Sequence, residues 1–372
     1  MLRRLLLTLI AIASCAPLRG SFSIPIRLSL PAEFNATALV AADFDGDRNL
    51  DLAVAGESGR LIVFLNSGKG GFRSTGPYDA GPHPSSLAAA DMDGDGNCDL
   101  VVANHETQSL TLLSGDGRGH FSSRQLPVHS EPHPHAIAVA DFDGDRRMDI
   151  VVDSWMENRL MILSGRNGWQ APGLPVEVGR KPYWNIAVAD LDGDGSTDIV
   201  VPNQGRGTVS VLLGDGHAHL RHASGSPFSA GALPFSVAVG DMNGDHRPDI
   251  AVVNYSGHVS DTAGDGLTWI RNDGQGRFTA MPDRVASGRY SARVTTGDVN
   301  GDGYDDVAFS NTASRTVSIV YGSRRGPRNA ASVMTMNAPH ALLLADLDGD
   351  GRSDLAVSGD GSTELRVYFS RQ

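Results

Sequence analysis

The stretch ADFDGDRRMDIVVD, residues 140–153, sets Asp141, Asp143, Asp145 and Asp149 at positions 1, 3, 5 and 9 of a nine-residue window. An apolar run follows at once, so negative charge is crowded against a segment that reads as core. The window recurs as DFDGDRNLD from Asp43, DMDGDGNCD from Asp91, DLDGDGSTD from Asp190, DMNGDHRPD from Asp241, DVNGDGYDD from Asp298 and DLDGDGRSD from Asp346. The seven copies are spaced by 48, 50, 49, 51, 57 and 48 residues. A near-fixed period of this length signals a repeat architecture.

The flanks repeat as well. Short apolar runs precede each copy (TALVAA, SLAAA, AIAVA, NIAVA, SVAVG, ARVTTG, ALLLA) and others follow it (LAVA, LVVA, IVV, IVVP, IAVV, VAF, LAVS). A third appears after a further short gap, as in LIVFLN, LTLLSG and VSVLLG, and a glycine turn usually closes it. Runs this short, rich in Val and Ile and bounded by Gly, Asn, Asp and Pro, read as strands. Each unit is therefore a four-stranded antiparallel sheet, with a weaker outer strand such as SRQLPVHS. Such sheets stack into a solenoid or close into a ring, and closure protects strand edges. The last copy ends after three strands, while FSIPIRLSLPAEF before the first copy resembles an outer strand. The expected fold is all-β: a seven-bladed propeller of four-stranded blades over residues 22–371, its N-terminal strand closing the last blade.

The first residues, MLRRLLLTLIAIASCAP, join two arginines to an apolar run too short to span a bilayer comfortably. This is the pattern of a signal peptide over residues 1–15. Its ending, IASC, resembles a bacterial lipoprotein signal with Cys15 lipidated; an ordinary cleaved signal is the alternative. Either way the chain is expected to be exported, lipid-anchored in the cell envelope or secreted. Membrane contact is expected only through that lipid. Cys98 has no evident partner, so no disulfide framework is expected. A formal charge of −12 leaves no basic surplus for a nucleic-acid backbone. The chain is read as a monomer.

Oxygen ligands at alternate positions suit a hard cation, and calcium takes six to eight of them. The candidate ligands are Asp43, Asp45, Asp47 and Asp51; Asp91, Asp93, Asp95 and Asp99; Asp141, Asp143, Asp145 and Asp149; and Asp190, Asp192, Asp194 and Asp198. Three further loops supply Asp241, Asn243, Asp245 and Asp249; Asp298, Asn300, Asp302 and Asp306; and Asp346, Asp348, Asp350 and Asp354. Position 7 would add a backbone carbonyl, and Gly at position 4 fits a tight turn. An EF-hand shares the opening spacing but needs Glu at position 12, where Val54, Val102 and Val152 stand here. Plain acidic turns are the bland alternative, weakened by seven copies filling the same positions. Without Arg3 and Arg4 the charge becomes −14, which seven divalent ions (+14) would cancel. Up to seven structural Ca2+ ions are expected.

These loops, with their AVAD approach and DIVV exit, resemble the FG-GAP/VCBS repeat family, the propeller type of integrin α-subunit heads and many bacterial exported proteins. The resemblance covers about residues 22–371 and implies a seven-bladed propeller with calcium in the loops between strands one and two. The fold alone does not fix a function. The fifth interval is longer than the others, around residues 254–266, and long loops tend to carry function.

A recognition surface is then expected on the opposite face. Before strand one stand His83, His133, His135, Tyr183, Trp184, Phe235, Tyr290 and His340; after strand two come Trp155 and Tyr255, together with Asn104, Asn203, Asn254 and Asn311. Aromatic, His and amide groups around a channel mouth could stack on sugar rings and bond hydroxyls. Equally, they could pack blade on blade and close turns. No G-x-S-x-G, H-E-x-x-H or paired-Glu motif points to catalysis. The function expected is a binding, adhesion or interaction module for a surface protein or polysaccharide. The alternative is a polysaccharide-active, lyase-like enzyme using the His and aromatic face.

Overall fold

The computed structural model describes residues 21–371 apart from Lys69, Glu106, Gln108, 128–133, Trp155, 171–172, Tyr183, 256–265, 282–284, 286–287 and Met336. Segment 1–15 with Cys15, most of the 254–266 insertion, and His133, Trp155 and Tyr183 thus lie outside the described residues. Regular structure is almost all strand; among the described residues helix is confined to two 3-10 turns, Gly165–Asn167 and Gln204–Arg206.

Seven antiparallel sheets follow one another along the chain, each ordered one-two-three-four from its first strand outward. Blade 1 comprises Ala36–Ala42, Asp51–Gly56, Arg60–Asn66 and Phe72–Asp79. The first strands of blades 2 to 7 are Pro84–Ala90, Ile137–Ala140, Ala187–Ala189, Pro234–Gly240, Ser291–Gly297 and Pro339–Ala345. Each first strand packs against those of the two neighbouring blades, so they line a closed central channel. Every second strand is buried along its whole length, as Asp51–Gly56, Asp149–Ser154 and Asp354–Gly359 illustrate. Their continuous apolar runs follow from this, because both faces meet a neighbouring blade.

The core is divided into seven clusters, one between each pair of adjacent blades. The seventh blade is completed from the other end of the chain. Ile26–Ser29 lies antiparallel to the third strand, setting Ile26 against Val367 and Leu28 against Leu365. Ser21–Phe22 pairs with Ser370–Arg371, and Arg27 forms an ion pair with Glu364 at 2.9 Å. Leu28 and Leu30 join the cluster between blades 7 and 1. One blade departs from the simple pattern. The outer strand of blade 4 is split into Leu220–His222 and Phe228–Ser229, both pairing with Thr208–Gly214. The interrupting sequence, ASGSP, holds Gly225 at φ +87° and a proline without a ladder donor.

Candidate metal centres and the opposite face

In each blade the acidic loop joins the first strand to the second, and all seven loops share one hydrogen-bond plan. In blade 3, Asp141 Oδ1 accepts the Gly144 N–H at 2.7 Å and Oδ2 accepts the Arg146 N–H at 2.7 Å. Asp145 Oδ1 accepts the Arg147 N–H at 2.9 Å. Gly144 has φ +74°, which explains glycine at position 4. Position 6 is also left-handed, at a cost to its side chains: Arg48, Arg146 and His246 have φ of 72°, 69° and 61°.

Positions 2 and 9 work together. The position-2 residues Phe44, Met92, Phe142, Leu191, Met242, Val299 and Leu347 are all buried in the core. The position-9 aspartates, Asp51, Asp99, Asp149, Asp198, Asp249, Asp306 and Asp354, are fully buried. Asp149 accepts the Phe142 N–H at 3.0 Å through one oxygen and the Gly165 N–H of the turn after strand three at 2.8 Å through the other. Asp51 does the same with Phe44 and Asn66, and Asp306 with Val299 and Gly322. The ninth residue therefore bolts the loop to the end of the third strand. In blade 5 the amide of Asn243 donates to Asp249 Oδ2 at 3.1 Å.

Burial of these carboxyls raises their pKa despite the backbone donors, to about 7 for Asp51, Asp249 and Asp306 and about 6 for Asp198 and Asp354. Neighbouring loop carboxylates add to the rise. Five loops bring three carboxylates together with ligand atoms within 4.8 Å of one another: Asp43/Asp45/Asp51, Asp91/Asp93/Asp99, Asp141/Asp143/Asp149, Asp190/Asp192/Asp194 and Asp346/Asp348/Asp354. The buried Oδ1 atoms of Asp192 and Asp348 accept no hydrogen bond. An oxygen-only donor set, crowded like charge and orphaned carboxylate oxygens all fit a hard divalent cation. Arginines supply part of that positive charge, with Arg166 3.0 Å from Asp145, Arg221 3.6 Å from Asp192 and Arg371 3.5 Å from Asp348.

The FG-GAP-like repeat family model matches residues 43–102, 91–152, 190–252 and 256–309, well over half of the chain. The chain belongs to the FG-GAP-like repeat family. Among curated relatives of this FG-GAP protein are integrin alpha-PS3 and integrin alpha-PS5 of Drosophila melanogaster. Each match spans 155 residues and 36% of this chain, at 28% and 27% identity. The match spans only 14% and 15% of the length of those relatives. Among solved structures, BBS1N in complex with ARL6DN superposes with a TM-score of 0.63 at 14% identity, over 94% of this chain and 98% of that one. Kuenenia stuttgartiensis hydrazine synthase gives 0.60 at 15%, over 92% and 96%. These likenesses show the fold alone.

On the face opposite the loops, the FG-GAP protein gathers several of the sequence-selected side chains. Rings follow one another at centroid distances of 4.5 Å (His105 to His135), 5.9 Å (His135 to Trp184), 5.1 Å (Trp184 to Phe235), 5.0 Å (Phe235 to Tyr255) and 4.9 Å (Tyr255 to Tyr290). The last two contacts are stacked, so one aromatic arc runs across blades 2 to 6. His340 meets Trp184 edge-on at 6.0 Å. Burial and the Arg293 charge push the His340 imidazole down to about 3, so it is neutral at ordinary pH. His83 is exposed, and its carbonyl accepts the His105 N–H.

Two members of the array escaped the sequence reading, His105 and Arg293. The Arg293 guanidinium crosses the channel mouth from blade 6. It donates to the carbonyls of Thr37 (3.0 Å), Ser85 (3.4 Å) and Trp184 (3.3 Å), and lies 5.4 Å above the Trp184 ring. Only its place in SARVTTG, where the other copies carry Ala, Ser or Asn, could have signalled it. Behind it a polar channel cavity of about 190 Å³ includes Ser86, Asn185 and Ser236 in its lining. Trp184, held by Arg293, Phe235 and His135, is thus a plug in the channel mouth. The four asparagines turn inward: Asn104, Asn203, Asn254 and Asn311 are fully buried. Asn104, for example, donates to the Ala80 carbonyl and accepts from Thr111. They close blades and offer no amide to a ligand. His135 is also enclosed, 5% exposed, with Nδ1 3.4 Å from the buried Asp153 carboxylate.

Proposed function

We propose that this FG-GAP repeat protein is a calcium-stabilised binding module that presents the face opposite its acidic loops to a surface protein or polysaccharide. The arc from His105 to Tyr290 is the observation that carries this reading. Its outer end, the stacked Tyr255 and Tyr290, is partly exposed, and flat rings with hydroxyl tips suit both sugar rings and protein side chains. In the loops, side chains at positions 1, 3 and 5 would hold the calcium. The ion would cancel carboxylate repulsion. Export, with or without a lipid at Cys15, would place such a module where surface ligands are found.

The test is a screen of the calcium-replete protein against a glycan array and a panel of surface proteins, repeated with Tyr290→Ala and Tyr255→Ala. The expected result is a ligand whose binding falls at least about tenfold in both variants while the circular dichroism spectrum stays that of the folded protein. Binding untouched by both substitutions overturns the assignment of this face. The buried His135–Asp153 pair has the composition of an oriented base and favours a lyase-like second reading. Its enclosure argues for a packing role, and release of unsaturated products from an acidic polysaccharide would reverse that judgement.

A further inference from the structure

The acidic-loop face also holds an arginine-rich groove beside the blade 5 loop. Between blades 5 and 6 runs a groove of about 400 Å³ lined by Arg247, Trp269, Arg271, Arg324 and Arg325. The carboxylates in its wall, Asp245 and Asp273, are each engaged by an arginine: Asp245 by Arg247, Asp273 by Arg271 at 2.7 Å. Four guanidiniums against two carboxylates leave the wall at +2 on a chain of formal charge −12. Of the blade 5 loop's candidate calcium ligands, Asn243 and Asp245 line the groove. The corresponding groove between blades 3 and 4 carries Arg166 and His217 beside Asp143.

Arg324 and Arg325 differ from Arg247 and Arg271. Both are exposed, and neither forms an ion pair among the described residues. Their backbone is nevertheless fixed. The Gly326 N–H donates to the Ser323 carbonyl at 2.6 Å, and Ser323 Oγ donates to the Gly326 carbonyl at 2.6 Å. The Ser323 N–H donates to Met242 of blade 5 at 3.1 Å. Gly326, at φ +88°, lies against the Trp269 indole so closely that a Cβ would fall 2.1 Å from the ring. The turn is clamped onto blade 5, and it aims two adjacent guanidiniums at a groove that already holds two more.

We propose that this groove binds a compact oxyanion ester, a sulfate or phosphate group, gripped by Arg324 and Arg325 opposite Arg247 and Arg271. A guanidinium presents paired donors matched to such oxygens, and a preformed turn keeps the ordering cost low. The local +2 is confined to this one groove, so one ester group fits it better than a long charged polymer. The site stands on the face opposite the aromatic arc and does not depend on it.

The test is isothermal titration of the calcium-replete protein at low ionic strength with three probes: inorganic sulfate, inorganic phosphate and a 6-O-sulfated disaccharide. At least one should bind saturably. A free-oxyanion site takes the inorganic ions as well as the disaccharide, and a glycan-reading site prefers the disaccharide. Arg324→Ala/Arg325→Ala should weaken binding at least about tenfold with the melting temperature unchanged, since both side chains are exposed. Arg324→Lys/Arg325→Lys should recover part of it, and Arg118→Ala, on an exposed hairpin of blade 2, should leave it intact. Failure of all three probes, undiminished affinity in the double alanine variant, or an equal loss in Arg118→Ala overturns the proposal.

Discussion

Asp149→Ala separates two roles that the ninth loop position could play. The Asp149 side chain accepts two backbone N–H groups, from Phe142 at 3.0 Å and Gly165 at 2.8 Å, in a fully buried setting. Truncation strands both donors, and each unmade buried bond costs about 1–3 kcal/mol. Relief of the buried carboxyl, whose pKa is raised by desolvation, offsets part of this, leaving a net loss of about 2–4 kcal/mol. At about 2.1 cal/mol/K of unfolding entropy per residue, that lowers the melting temperature by about 3–5 °C. Asp149→Asn keeps one acceptor and should lose roughly half as much. The assay is thermal unfolding followed by circular dichroism, with excess calcium and with excess chelator. A residue serving only as a calcium ligand would matter only with calcium, and its removal would relieve repulsion in chelator. Asp149→Ala should instead destabilise in both. Asp143→Ala, whose main-chain contact is a single 3.2 Å bond, should destabilise only with calcium. An Asp149→Ala protein as stable as wild type in chelator refutes the bolt described above.

Acidity should act on the calcium-free protein with a definite sign. Raised carboxyls such as Asp51 and Asp306, at about 7, give stability that is complete below the ordinary carboxyl pKa near 4 and is lost as pH rises through 6–7. In chelator the melting temperature should therefore be higher at pH 5 than at pH 8, and the gain from calcium should grow over that interval; a gain independent of pH refutes this. Leu28→Ala, in the closing strand and 8% exposed, should cost about 2–4 kcal/mol in a urea titration. A neutral result would show that blade 7 does not need its N-terminal strand. Arg146→Gly, relieving a left-handed φ of 69°, should raise stability by about 0.5–1 kcal/mol, and a lower melting temperature would refute the strain.

The repeat was legible because each blade obeys the same local rules: a loop of fixed polarity, a buried second strand, a glycine where φ is positive. Ring closure was legible from one strand too few after Asp346 and one too many before Asp43. The division of labour inside the loops was not. Position 9 has the same residue type as positions 1, 3 and 5, and only the approach of the third strand shows which oxygens the backbone already occupies. The opposite face was half legible. Aromatic residues before strand one do converge, but Arg293 reaches Thr37 across 256 residues of sequence, a contact no local pattern encodes. The asparagines misled because an amide ending a strand looks the same whether it faces solvent or a buried neighbour.

Closing the seventh blade with a strand that precedes blade 1 has a consequence for biosynthesis. Arg27 and Glu364 are separated by 337 positions, so the closing strand has no partner until the third strand of blade 7 is made. Blades 1 to 6 can form in order as they emerge, but the ring stays open with two unsatisfied flanks until the final strands arrive. A message cut short before Glu364 would deprive Ile26–Ser29 of its pairing strand and leave both ends of an otherwise intact array exposed to pairing with other chains. Closure of the ring therefore waits for residues 364–371, which act as the latch.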